Sequence, residues 1–353
     1  MTAPGPALID VHSHVVPRSL PRDPTGGEIG MWPSVHCEAC GRKAKVMMGQ
    51  KPFRDIDERS WDVGRRVADM DVDGVAAQAL SPMPELLSYW LAPQPALELS
   101  RHVNHIIAEM VAQRPDRFFG LGTVPLQDPD LAARELSTLR SRFGLVGVEV
   151  GSNVAGAYLG DARFDPFFAA AEEQDMAIFV HSLHPLQARD LGRHPMLVPF
   201  AGFTVDTALC AASLIMEGVL ERFPRLKLAF SHGGGVLAPI LHRMEFGWAS
   251  TGGFEGRLPQ SPKAYARRFF YDSLVYDQAY LEHLTTHMAP GQVFLGTDYP
   301  YLIRQPHPRD FIQSAAQSPG VDPSIWSDAA IRFLGVASAG ALGQPERHEA
   351  SHG

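Results

Sequence analysis

An (β/α)8 barrel is the fold class that this sequence predicts, and three observations carry it. Eight short apolar, β-branched runs recur along the 353 residues, and amphipathic stretches of helical period lie between most of them. Four segments in or beside those runs carry metal-ligand residues: Asp10-Val11-His12-Ser13-His14, Val180-His181, Ser231-His232 and Gly296-Thr297-Asp298. Strands separated by helices pair in parallel, and closure into a barrel satisfies every edge. Side chains at the C-terminal ends of such strands meet in one place.

In chain order, the first strand is expected over Ala7 to Asp10, leading into the His-x-His segment. Residues 15–58 follow, too long for an ordinary βα loop, and Val46-Met47-Met48 before Gly49 predicts a small β-hairpin over the barrel mouth. The first helix is expected over Trp61 to Met70 and the second strand over Gly74 to Leu80. Helix Pro95 to Gln113, strand Phe118 to Val124, helix Pro129 to Arg142 and strand Gly144 to Val150 continue the alternation. Then come helix Asp165 to Gln174, strand Ala177 to His181, helix Thr207 to Arg222 and strand Leu226 to Ser231. Strand Phe269 to Ser273, helix Ala279 to His287 and strand Val293 to Gly296 complete the eight. One domain is expected over 1–342, with a polar, frayed tail from Gly343.

Composition narrows the function classes. The chain is 45% hydrophobic, enough for one large core. A net charge of -8 and a pI near 6.0 offer no basic face for nucleic acid or an anionic membrane. Three cysteines make no disulfide framework, and no stretch is read as a membrane span or a leader. A soluble cytoplasmic protein is expected.

The His-x-His segment carries the chemistry. Side chains alternate along a strand, so His12 and His14 project from one face and can grip one ion together, with Asp10 expected to point the same way. Imidazoles with a carboxylate suit zinc and similar divalent ions, and an open coordination position is the catalytic pattern. A histidine beside such an ion can shuttle protons near neutral pH, and the ion lowers the pKa of bound water toward ~7. A single buried histidine is more often a satisfied core residue. The ordered set at strand ends outweighs that reading.

These segments resemble the amidohydrolase superfamily, and within it the decarboxylase branch typified by 2-amino-3-carboxymuconate-6-semialdehyde decarboxylase. The resemblance also rests on Met47-Met48-Gly49, Phe53-Arg54, Trp61-Asp62, Ser88-Tyr89-Trp90, Val124-Pro125-Leu126-Gln127-Asp128, Phe230-Ser231-His232-Gly233-Gly234-Gly235, Tyr271-Asp272-Ser273 and Asp298-Tyr299-Pro300. It implies metal ligands at His12, His14, His181 and Asp298, with His232 as acid/base and Asp298 counted among the catalytic residues. It implies substrate-carboxylate arginines at Arg54 and Arg243, the latter inserted from the neighbouring subunit of a homodimer. The planar guanidinium fork suits a carboxylate substrate independently of kinship. The expected strand-four end has Glu149 but no lysine, so one divalent ion is expected, Zn2+ ahead of Mn2+.

Several positions depart from the type. Ser182-Leu183-His184-Pro185 replaces Pro-Trp-Asp, Leu197 to Phe200 replaces an aromatic-rich stretch, Tyr301 replaces phenylalanine, and Glu85-Leu86 replaces an apolar pair. His184 and Tyr301 are therefore expected to touch substrate. Cys37-Glu38-Ala39-Cys40 lacks enough partners for a zinc knuckle and reads as a turn at the tip of the excursion. The activity expected is non-oxidative release of CO2 from a carboxylated muconate semialdehyde or related aromatic-degradation intermediate. The alternative is a hydrolase of the same superfamily, such as a dicarboxylate lactonase.

Overall fold

The computed structural model describes residues 7–24, 26–27, 30–188, 191–192, 194–315 and 324–336. Eight parallel strands lie side by side in chain order: Ile9–Val15, Ala77–Pro82, Phe118–Gly122, Gly147–Gly151, Ala177–His181, Lys227–Phe230, Phe270–Asp272 and Val293–Phe294. The Val11 amide donates to the Leu295 carbonyl at 2.9 Å, which brings the eighth strand back to the first and closes the (β/α)8 barrel. Each expected strand is present, shifted by a few residues at its ends.

Helices Val63–Asp73, Pro93–Gln113, Pro129–Phe143, Asp165–Glu173, Phe203–Met216 with Val219–Arg222, and Gln278–His283 match the six helical stretches expected. They bury apolar faces against the outside of the barrel: Leu136, Phe167, Phe168 and Leu214 are fully buried there. Each such side chain contributes about 1.5–3 kcal/mol by leaving water. Helix Leu237–Ser250 follows the sixth strand and carries Arg243. Helix Ile325–Leu334 was not foreseen. Its Ala329, Ala330, Phe333 and Leu334 pack with Ile9, Val11, Ala77, Phe179 and Phe294 in the cluster that fills the barrel's N-terminal end.

Two expectations need correction here. The excursion after the first strand is a three-stranded antiparallel sheet, Pro33–Cys37, Lys43–Met48 and Lys51–Asp57, rather than a hairpin. Its middle strand buries Ala44, Val46 and Met48 and exposes Lys43 and Lys45, the period-two pattern of a sheet with one face on a core. Secondly, residues 198–216 do form a helix long and apolar enough to cross a membrane by length and composition. In this fold it is a barrel helix, with Ala208, Ala211, Leu214 and Ile215 in the core. The tail expected from Gly343 lies outside the described residues.

Candidate active site

The first strand does not run evenly. Its register on the second strand slips between Asp10 and Ser13. A bulge of this kind reverses which face the following residues occupy. Ile9 and Val11 therefore join the inner cluster, and the His12 ring also lies inside, 5.0 Å from that of Phe179. Asp10 is left on the other face, which overturns the expectation that it points with the histidines. Its carboxylate accepts from the Thr297 hydroxyl at 2.7 Å, the Thr297 amide at 3.1 Å and Gln78 Nε2 at 3.0 Å. Asp10 thus ties the chain after the eighth strand to the first.

His12, His14, His181 and Asp298 are buried, and each offers a ligand atom within 4.8 Å of all the others. His12 Nε2 and His14 Nε2 face each other at 3.1 Å, with Asp298 Oδ1 3.4 Å and 3.1 Å from them. The opposite ring nitrogens are engaged: His12 Nδ1 with Asp272 at 2.6 Å, His14 Nδ1 with the Pro82 carbonyl at 3.0 Å, and His181 Nδ1 with the Ser182 carbonyl at 2.8 Å. An imidazole whose Nδ1–H donates elsewhere turns the Nε2 lone pair outward, which is how proteins prepare a histidine for a metal. With the three imidazoles neutral, their Nε2 lone pairs and the carboxylate oxygen converge on one point, a donor set that fits one divalent cation.

The electrostatics agree. Burial opposes charge on His12, yet its hydrogen bonds to Asp272 and Asp298 outweigh burial and carry the ring up to about 10. Burial takes His14 down to about 4 and His181 well below the ordinary imidazole range. Burial would raise Asp298, but His12 and His14 hold it well below the usual carboxylate range. The negative potential that draws a proton to His12 also draws a cation.

His232 stands beside this quartet, its ring centroid 5.2 Å from that of His181 and 5.4 Å from that of His12. Burial, then the nearby His12 charge, lowers its pKa against the opposing pull of Asp272 and Asp298. His232 Nδ1 has no hydrogen-bond partner among the described residues. His232 and Asp298 both adopt left-handed backbone, φ 56° and 63°. Such conformations cost free energy at non-glycine residues and concentrate at functional positions. The glycines after His232 serve the protein's own packing rather than a ligand's approach: a Cβ on Gly235 would sit 1.9 Å from the Thr204 carbonyl oxygen.

The mouth residues take varied positions. Arg54, on the third excursion strand, stacks over the Tyr301 ring at 4.2 Å, and Tyr301 in turn stacks on His14 at 5.1 Å. Both line an open groove of 980 Å³ between the excursion sheet and the loop after the eighth strand. His184 is exposed and packs on Trp90 at 5.1 Å. Arg243 is exposed, and its side chain makes no ion pair or hydrogen bond to another described residue. Glu149 accepts from Ser81 Oγ at 2.5 Å, lies 3.6 Å from His14 Nδ1, and is raised to about 8 by burial. It belongs to the barrel's hydrogen-bond lattice, outside the quartet. Cys37, the last residue of the first excursion strand, and Cys40, in the turn that follows it, are free and exposed.

A family model described as Amidohydrolase matches residues 9–336. The chain belongs to the amidohydrolase family. It is 35% identical over 93% of its length, and 91% of the relative's, to 2-amino-3-carboxymuconate-6-semialdehyde decarboxylase of Dictyostelium discoideum. It is 30% identical to gamma-resorcylate decarboxylase of Rhizobium radiobacter over 62% of this chain and 68% of that one. The structure of 5-carboxyvanillate decarboxylase from Sphingomonas paucimobilis superposes with a TM-score of 0.72 at 30% identity, covering 79% of this chain and 85% of that one. The corresponding enzyme of Novosphingobium aromaticivorans, solved with manganese and 4-hydroxy-3-methoxy-5-nitrobenzoic acid, gives 0.68 at 25% identity over 79% and 82%. These relatives are carboxy-lyases.

Two residues of this amidohydrolase site were given no role by the sequence reading, which quoted Asp272 only within a motif. Asp272 binds His12 Nδ1 and also accepts from the amides of His232 at 2.9 Å and Gly233 at 2.7 Å. One carboxylate so positions a quartet member and the neighbouring histidine. Its place at the end of the seventh strand, like the other acidic and histidine strand ends, was the available signal. Arg66 is fully buried and donates to the His14 carbonyl at 2.5 Å, to Ser13 Oγ and to Gln78 Oε1. It pins the His-x-His segment to the first helix. Nothing in its sequence neighbourhood distinguishes it from a surface arginine.

Proposed function

We propose that this amidohydrolase is a metal-dependent, non-oxidative decarboxylase releasing CO2 from a carboxylated muconate semialdehyde or a related aromatic-degradation acid. The observation that carries the reading is the convergence of His12, His14, His181 and Asp298 with His232 alongside. The carboxy-lyase names of the relatives support it. The lactonase alternative has no counterpart among the relatives described above.

One divalent ion held by the quartet would polarise substrate oxygens and help take up the electron pair left when C–C cleavage releases CO2. His232, its ring not tied through Nδ1, delivers the proton that the vacated carbon requires. Arg54 offers its fork to a carboxylate, with the Tyr301 ring beneath fixing the guanidinium plane. His184 lies at the rim, where it meets the outer part of the substrate. Arg243 and Phe246, exposed one turn apart on Leu237–Ser250, support a homodimer in which Arg243 completes the neighbouring pocket. Manganese in the carboxyvanillate enzyme stands beside zinc as the metal, since both tolerate histidine and carboxylate ligands.

The test is CO2 release and ultraviolet loss on chelator-stripped protein reloaded with zinc or manganese. The panel comprises amino- and hydroxy-carboxymuconate semialdehydes with dicarboxylate lactones. The expected outcome is one metal per chain and CO2 release that His232→Ala abolishes while metal stays bound. Lactone opening without CO2 from any panel member would overturn the proposal.

A further inference from the structure

Glu85 stands out as a buried carboxylate whose one ion pair, to Arg54, is loose. It is 7% exposed, on the single turn Pro84–Leu87 just after the second barrel strand. Its Oε1 lies 3.9 Å from Arg54 Nη2, beyond hydrogen-bond range, and its Oε2 has no partner among the described residues. Burial first, and then the nearness of Asp298, raise its pKa against the lowering effect of Arg54. A carboxylate buried near other acids and left with an unsatisfied oxygen costs stability that an apolar side chain would not. The buried Tyr301 hydroxyl, over whose ring Arg54 stacks, likewise makes no well-formed hydrogen bond. Glu85 and Tyr301, two of the several positions at which the sequence departs from the type, therefore converge on one guanidinium.

We propose that Glu85, assisted by Tyr301, determines specificity by accepting a hydrogen bond from a hydroxyl or amino group that the substrate carries close to the carboxylate gripped by Arg54. The inference rests on the carboxylate-binding reading of Arg54 given above. A group with no proton to donate leaves the Glu85 oxygen unsatisfied, and a second carboxylate at this corner is repelled. The preferred substrates are thus hydroxy- or amino-substituted carboxylates, and their O-methyl or N,N-dimethyl counterparts are rejected.

The test reads binding separately from turnover. Dissociation constants of 2- and 3-hydroxybenzoate and 2- and 3-aminobenzoate are compared with those of their capped counterparts on the metal-loaded protein. The wild-type protein is expected to favour at least one donor-bearing ligand about 10- to 100-fold, the weight of a hydrogen bond to a charged group. Glu85→Gln is expected to shrink that ratio about tenfold, and Tyr301→Phe to shrink it less. Equal binding of donor and capped ligands, no binding of any benzoate, or a Glu85→Gln variant that weakens both members of each pair alike overturns the inference. The last result would make Glu85 only a prop for Arg54. Donor preference without CO2 release from the substrate panel would leave this inference standing and remove the decarboxylase reading alone.

Discussion

The carboxylate of Asp272 meets His12 Nδ1, the His232 amide and the Gly233 amide together, so a single side chain sets two imidazoles. Outer partners of this sort orient a ligand histidine and raise its basicity, and their loss typically weakens metal binding about 10- to 100-fold. Asp272→Asn keeps the shape and removes the charge. It is expected to weaken zinc or manganese binding by that factor, read by competition with a chromophoric chelator. Unchanged affinity would mean that the His14, His181 and Asp298 contacts alone fix the site. Arg66 acts on the same strand from outside the barrel. Arg66→Met would strand the His14 carbonyl and Gln78 Oε1 without their donor, each worth about 1–3 kcal/mol, a loss to be read by denaturant unfolding.

At the scale of elements, the barrel separates stability from chemistry. Helix Ile325–Leu334 inserts Phe333 among Phe270, Phe294 and Ala330 at the end of the barrel away from the quartet. Phe333→Ala is expected to cost about 3–5 kcal/mol in urea unfolding while metal affinity stays at the wild-type value. A collapse of metal affinity with stability preserved would show the two ends to be coupled. The excursion sheet does the opposite work. It buries one face on the barrel mouth through Val46 and Ile56 and leaves Arg54, on its last strand, reaching across to Tyr301. Chain between the first strand and first helix therefore supplies a pocket wall that the strand ends alone do not provide.

At the scale of the whole molecule, the exposed Arg243 and Phe246 look outward from a chain whose own pocket is already furnished with Arg54. If Arg243 serves the neighbouring site, Arg54→Ala and Arg243→Ala each raise KM for a carboxylate substrate. Mixing the two variants then restores part of the activity, up to the fraction of dimers that hold one intact pocket. Mass measurement after subunit exchange verifies that mixed dimers form. No recovery in verified mixed dimers would place both arginines on one chain's site or remove Arg243 from it.

The eight strands and most helices were legible in the sequence because their signals are local, and the same local signals marked Asp10, His12, His14, His181, His232 and Asp298 as candidates, from which the family resemblance singled out His12, His14, His181 and Asp298. Apolar runs, helical period and a ligand residue at the end of a run need no knowledge of the partner strand. The order of those runs then forces the ends together once the barrel closes. Tertiary structure alone decided the rest. The slip between Asp10 and Ser13 exists only in the pairing of the first strand with its neighbours, and it turned Asp10 from an expected neighbour of the histidines into a clasp for Thr297. Asp272 reaches His12 across 260 residues of chain, and Glu85, Arg54 and Tyr301 meet from three separate loops and strands. Which face a strand presents and which distant side chain meets another are set by pairing between remote segments, and one segment's pattern does not encode its partner's register.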